Sequence, residues 1–292
     1  MKKIVCVLAS FATFLCAIAD DFALVKQGSS TAPVDWTDIS NWTNRTLGAM
    51  ADRIPGENDH LKANAHVALN GDYTIDTYLD YYAHLHVFRT EGIDNTVSLT
   101  VKSKLGNGGY QRYNVYNGAK IVLSDTAILN GANGDAGPSI AYINDGGTMD
   151  VFGTVDSRHM EWDIKNGGVL NYAPKSYSTG RWEVGHKDKF HVAGTLNFPY
   201  GLNVQGQDKA VAQINHNSGT VTFGGDFSSV CSWLYTWKAG TLAVTEDVLF
   251  PANVEVAVAA NADVTVDVFT GKTFVIKNLN FSDGASLLKT GD

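Results

Sequence analysis

The chain has 292 residues, with 22 Lys and Arg against 30 Asp and Glu, for a net charge of −8 at pH 7. An acidic balance of this size argues against nucleic acid or an anionic membrane surface as a partner. Only three cysteines are present, so a disulfide framework cannot carry the stability.

Met1-Lys2-Lys3 followed by an apolar run from Ile4 to Ile18 reads as a signal peptide. The Ala17-Ile18-Ala19 triplet fits small-residue cleavage and sets the expected mature start at Asp20. The run is short for a transmembrane anchor and acidic residues follow it at once. Leu15 before Cys16 argues against a lipoprotein attachment site. Removing residues 1–19 takes two lysines and no acid, leaving 20 basic against 30 acidic side chains and a charge of −10. Cys6 and Cys16 leave with it, so Cys231 is alone and no intrachain disulfide is expected. The expected location is extracellular or the bacterial cell surface, with no membrane contact after cleavage.

Residues 20–60 read as an N-terminal cap. They hold Trp36, Trp42, Pro55 and the polar run Gly56-Glu57-Asn58-Asp59-His60. A stack of strands needs its first edge covered, and one or both tryptophans are expected to cover the end of the core. The alternative, a sugar-stacking platform, is the lesser reading.

Residues 61–292 carry the repeat expected of a solenoid. From Leu61 to Val101 the strand pattern is present but its turns are irregular, and Tyr73, Tyr78, Tyr81 and Tyr82 crowd it. His84-Leu85-His86 places two imidazoles on one strand face, half of a zinc site. No third ligand follows at a recognisable spacing, so a paired surface histidine is expected and no metal is assigned. Gly106-Asn107-Gly108-Gly109 and the run 130–137 are loose loops. Asn133 and Asp135 give the second the composition of a calcium-binding roll. A single degenerate copy reads better as a long turn between coils, so no cofactor is expected.

Beyond residue 117 a short phrase recurs, clearest at Ser218-Gly219-Thr220-Val221-Thr222-Phe223. It returns at Gly146, Gly167, Gly194 and Gly240, and more loosely at Gly118, Ala262 and Gly284. The steps between these anchors are 28, 21, 27, 25, 21, 22 and 22 residues. A recurring step of this size marks a repeat architecture. Within each copy apolar and polar positions alternate, so Val221 and Phe223 share one strand face and Thr222 the other. One such strand cannot bury its face alone; one copy per coil, stacked about 4.8 Å apart, can. The expected fold is all-β: a right-handed parallel β-helix, or β-solenoid, with coils of about 21–28 residues.

Trp233-Leu234-Tyr235-Thr236-Trp237 is the one place where three aromatics share a strand face. If exposed, Trp233, Tyr235 and Trp237 would form a carbohydrate-binding platform. Counting forward from Gly219 and Gly240 aligns the stripe with Val254, Val256 and Val258, which face inward. Counting back from Gly240 and Ala262 aligns it with Glu255, Ala257 and Ala259, which face outward. A one-residue slip separates the two registers. Burial of most of the stripe is the expectation, with glycan contact as the sharp alternative.

There is no Gly-x-Ser-x-Gly elbow, phosphate loop or dinucleotide fingerprint, so no catalytic residue is assigned. Arg158, Asp163, Lys165, Lys187 and Asp188 fall where they would line one side of neighbouring coils. That leaves a carbohydrate-active β-helix enzyme, of lyase or hydrolase type, as the alternative to a non-catalytic protein.

The Ser-Gly-Thr-Val-Thr-Phe-Gly-Gly-Asp-Phe run at 218–227, the ending Leu287-Leu288-Lys289-Thr290-Gly291, and the entry with Trp42, Pro55 and Asp59 are shared features. Through them, residues 34–292 resemble bacterial secreted β-helical surface proteins with autotransporter-passenger-associated repeats. The resemblance implies export and a structural or adhesive role, with extracellular glycans or host and matrix surfaces as partners. No membrane barrel follows here, so a complete autotransporter is not expected, and a fragment or a protein anchored by other means stays open. The last strand has no following coil, which points to a truncated chain or to end-to-end self-association.

Overall fold

A computed structural model describes residues 20–56, 59–62, 65–75, 84–106, 110–131, 138–156, 159–174, 176–177, 189–204, 212–229 and 232–291. The expected leader at 1–19 lies outside them, as do Tyr78, Tyr81, Tyr82, Asn133, Asp135, Arg158, Lys187, Asp188 and Cys231. The described chain is almost entirely strand and turn, with one short 3-10 turn at Ile39–Asn41. No described helix is long and apolar enough to cross a membrane.

The coils stack as a parallel β-solenoid with three lateral faces. An eleven-stranded sheet runs from Val34–Asp35 to Leu279–Phe281, and a ten-stranded sheet from Tyr73–Ile75 to Ser286–Thr290. Shorter parallel ladders, beginning at Lys104–Leu105, form the third side. Each coil contributes a strand to each long sheet in turn, so every neighbour within these two sheets is parallel.

On the ten-stranded sheet the register runs Lys120, Thr148, Val169, Thr195, Thr220, Thr241, Thr265, Leu288. The differences between these positions are 28, 21, 26, 25, 21, 24 and 23 residues. The coil length is as expected, but the last anchors shift. Gly240 pairs with Val264 and Leu242 with Val266, so Val264 lies two residues from the expected partner. The shift is even, and Val264 therefore still faces inward. Asn261 takes the left-handed turn (φ 55) that glycine takes elsewhere, since its short polar side chain tolerates that conformation. Reading Ala262 as the anchor missed this.

Glycine at the phrase has a steric cause. Gly219 has φ 76, and a Cβ there would stand 2.0 Å from the Gly194 carbonyl oxygen of the coil below. Only a residue without a side chain lets the two backbones approach so closely.

The inner columns form one continuous core. On the eleven-stranded sheet, one column runs Leu85, Tyr113, Ala141, Trp162, Phe190, Ile214, Tyr235, Val256. All are buried. Ala141 between Tyr113 and Trp162 shows how the stack accommodates large rings: a small residue in one coil makes room for its neighbours.

At the N-terminal end, Asp21–Leu24, Trp42–Asn44, Ala49–Met50 and His60–Lys62 build a separate four-stranded sheet. Trp36 and Trp42 pack edge to face at 5.0 Å, and the Trp42 indole N–H donates to the Trp36 carbonyl at 2.9 Å. Both are buried, and Trp36 also meets Tyr73 of the first coil. Arg53 clasps the buried Asp59 carboxylate with both guanidinium nitrogens and stacks over Phe22 at 4.9 Å. The Trp36–Tyr73 contact ties this segment to the first coil.

Candidate functional site

The aromatic stripe at Trp233–Trp237 faces the core. Trp233, Tyr235 and Trp237 are 2%, 0% and 1% exposed, and they pair with Val254, Val256 and Val258. The forward count is the one the fold adopts. No ring face is left for a sugar, which corrects the platform reading of these three residues. Phe227, Phe250 and His216 surround the stripe. His216 is fully buried; its Nδ1 lies 2.9 Å from the Tyr235 hydroxyl and its Nε2 lies 3.3 Å from the Gly219 carbonyl. A carbonyl only accepts, so Nε2 carries the proton and Nδ1 accepts from Tyr235. Burial pushes the His216 pKa down to about 4 and that of Tyr235 well above its usual range.

The functional candidates lie on the outer side of the eleven-stranded sheet. One outward column runs His66, His86, Asn114, Tyr142, Asp163, His191, Asn215. The next begins Ala68 and Phe88. It continues through Tyr116, Asn144 and Lys165, whose amides extend the ladder to Val87, Val115 and Ile143.

Stacking sets the geometry of its first part. The Phe88 and Tyr116 rings are 4.0 Å apart and 7° from parallel, and His66 and His86 stack at 3.9 Å. His86 Nδ1 lies 3.2 Å from the Tyr116 hydroxyl. Burial, then the nearby His66, His84 and Arg112, lowers the His86 pKa to about 4. The imidazoles are stacked face to face, an arrangement that does not converge lone pairs on a metal. Among the described residues, no group of three His, Cys, Asp or Glu side chains is placed to hold an ion.

An open groove of about 710 Å³ lies beside this column, lined by Phe88, Arg89, Glu91, Tyr116, Asn144 and Lys165 among others. Its lower wall comes from an unequal turn. Seven residues, 90–96, link His84–Arg89 to Val97–Val101, whereas three, 116–118, serve the next coil. Arg89 donates to the Asp94 carbonyl at 2.8 Å, which pins that turn.

Further along the same face, Glu161 gathers three basic groups. His159 Nε2 and Lys189 Nζ each lie 3.6 Å from Oε1, and His191 Nε2 lies 4.0 Å from Oε2. Asp163 and Lys165 pair beside it at 2.5 Å. Asp163 and Lys165 are thus brought together as the charge pattern suggested, on neighbouring columns.

On the ten-stranded sheet the outward groups instead tie coils together. Lys120 pairs with Asp150 at 2.5 Å, Asn171 donates to Asp150 at 2.7 Å, and Asn197 donates to Asn171 at 2.8 Å. Such a ladder satisfies polar groups along the stack.

No protein-family model, no curated protein and no solved structure matches this chain.

Proposed function

We propose that this chain is a structural and adhesive β-solenoid of the bacterial cell surface or extracellular space, acting without catalysis by presenting a long lateral face to glycans or matrix surfaces. One observation carries the reading. Phe88, Tyr116, Tyr142, His66 and His86 stand half-exposed, in register, on the outside of the eleven-stranded sheet. Rings of this kind are enriched at recognition surfaces. The signal segment and the acidic charge of the mature chain agree with an exported protein. The exposed Phe281, Leu287 and Leu288 on the last coil support end-to-end self-association as a second mode of contact.

The test is retention of neutral and acidic glycans and of extracellular-matrix proteins by the immobilised mature chain. Retention that falls when Tyr116 and Tyr142 are replaced by alanine supports the reading. Retention of nothing by a folded chain overturns it.

The alternative, a carbohydrate-active enzyme, draws on the Glu161 cluster with Lys189, His159 and His191. Release of new reducing or unsaturated ends from a polysaccharide, abolished by Glu161→Gln, would favour it over the non-catalytic reading.

A further inference from the structure

In a parallel stack, side chains at one outward position lie one above another, so each ring's faces are covered by the residues of the coils below and above. Phe88 covers one face of Tyr116. The position above Tyr116 belongs to Asn144, whose amide is turned onto the backbone. Its Nδ2 donates to the Val115 carbonyl at 3.1 Å and lies 3.5 Å from the Tyr142 carbonyl. Among the described residues no ring stacks on the far side of Tyr116. The next residue up, Lys165, reaches sideways to Asp163 and over the Tyr142 ring, 5.9 Å from its centroid. The aromatic column therefore ends at Tyr116, which lines the groove together with Asn144.

The rim of that groove is polar and of balanced charge. Arg89 and Lys165 line it together with Glu91 and Asp145, and so do Asn117 and Asn144. A flat apolar face surrounded by neutral and paired polar groups suits a ligand with one C–H face and a ring of hydroxyls. The groove volume of about 710 Å³ falls within the common range for ligand sites, about 300–1,000 Å³. A strongly anionic glycan would need uncompensated cations, which this rim lacks.

We propose that the notch above Tyr116 binds a neutral pyranose unit of a glycan, stacked on the Tyr116 ring and held at its hydroxyls by the Asn144, Asn117 and Arg89 side chains. The proposal rests on the reading of the lateral face as a binding surface and names the ligand and the place on it.

The experiment is calorimetric titration of the mature chain with cellohexaose, chitohexaose and a linear galactohexaose, with polygalacturonate as the anionic comparison. At least one neutral oligosaccharide is expected to bind. Tyr116→Phe keeps the ring face and should retain the affinity. Tyr116→Ala should lower it about tenfold or more, and Asn144→Phe, which leaves Tyr116 in place but covers its face, should do the same. Thermal melts of each variant, unchanged from the parent, separate loss of the site from loss of the fold. Binding of a neutral oligosaccharide that neither variant weakens overturns this site but leaves the lateral-face reading standing. Binding of polygalacturonate alone, lost with added salt, overturns the neutral class. Binding of no glycan overturns the proposal, while retention of matrix proteins would still support an adhesive surface.

Discussion

His216 stands in a column whose other coils all place an aliphatic or aromatic side chain there: Val67, Val87, Val115, Ile143, Ile164, Val192, then Trp237 and Val258. It is tolerated because both ring nitrogens are used, by Tyr235 and Gly219. Its folded pKa of about 4 lies below its ordinary value of 6.5. The unfolded chain therefore binds more protons in that interval, so stability is full above about pH 6.5 and falls as pH drops toward 4. The loss should reach on the order of 3 kcal/mol at the acid end. His216→Phe should flatten the difference between denaturant midpoints measured at pH 7 and pH 4.5. His86 changes in the same direction, but it is partly exposed and its contribution is smaller. Val221 tests the neighbouring sheet. It is 0% exposed and lies between Leu196 and Leu242. Val221→Asp buries an uncompensated charge and should cost several kcal/mol, or about 3–5 by analogy with broken buried pairs. A thermal melt that does not move would contradict the core assignment.

At the scale of the strand, legibility followed the strength of alternation. Thr220–Phe223 and Thr195–Phe198 could be placed from sequence because glycine marks the turn and small or polar residues alternate with apolar ones. The Trp233–Trp237 strand could not, because register there hangs on a coil length that changes from 21 to 24 residues between neighbours. The lateral site was missed for a related reason. Phe88 and Tyr116 are 28 residues apart, and His66 and His86 are 20 apart. Those steps become visible as columns only once the irregular early turns are aligned. A search for aromatic pairs at one coil length would have found them. For the buried stripe, Trp237→Ala should lose about 3–5 kcal/mol of stability. Trp237→Phe should lose far less, because the Trp237 indole N–H has no partner among the described residues and its removal relieves an unmet donor. Equal losses from both substitutions would contradict the packing described.

Across the whole molecule the two ends differ. The N-terminal end carries the four-stranded sheet, the buried Trp36–Trp42 pair and the Arg53–Asp59 ion pair. The last described coil leaves Phe281 50% and Leu287 39% exposed, in line with Val258 and Val264 of the core below. Lys289 occupies the inward position above Val266, a charge of the kind that restrains open edges from pairing. Both the lateral surface and the core depend on neighbouring coils being parallel and in the stated register. Cysteine cross-linking measures that directly in a Cys231→Ser background. Asn197 and Thr222 are registered partners on adjacent coils, so Asn197→Cys with Thr222→Cys should form a disulfide readily. Asn197→Cys with Thr220→Cys, two residues out of register, should not. Preferential cross-linking of the second pair would contradict the stacked register on which the binding face is built.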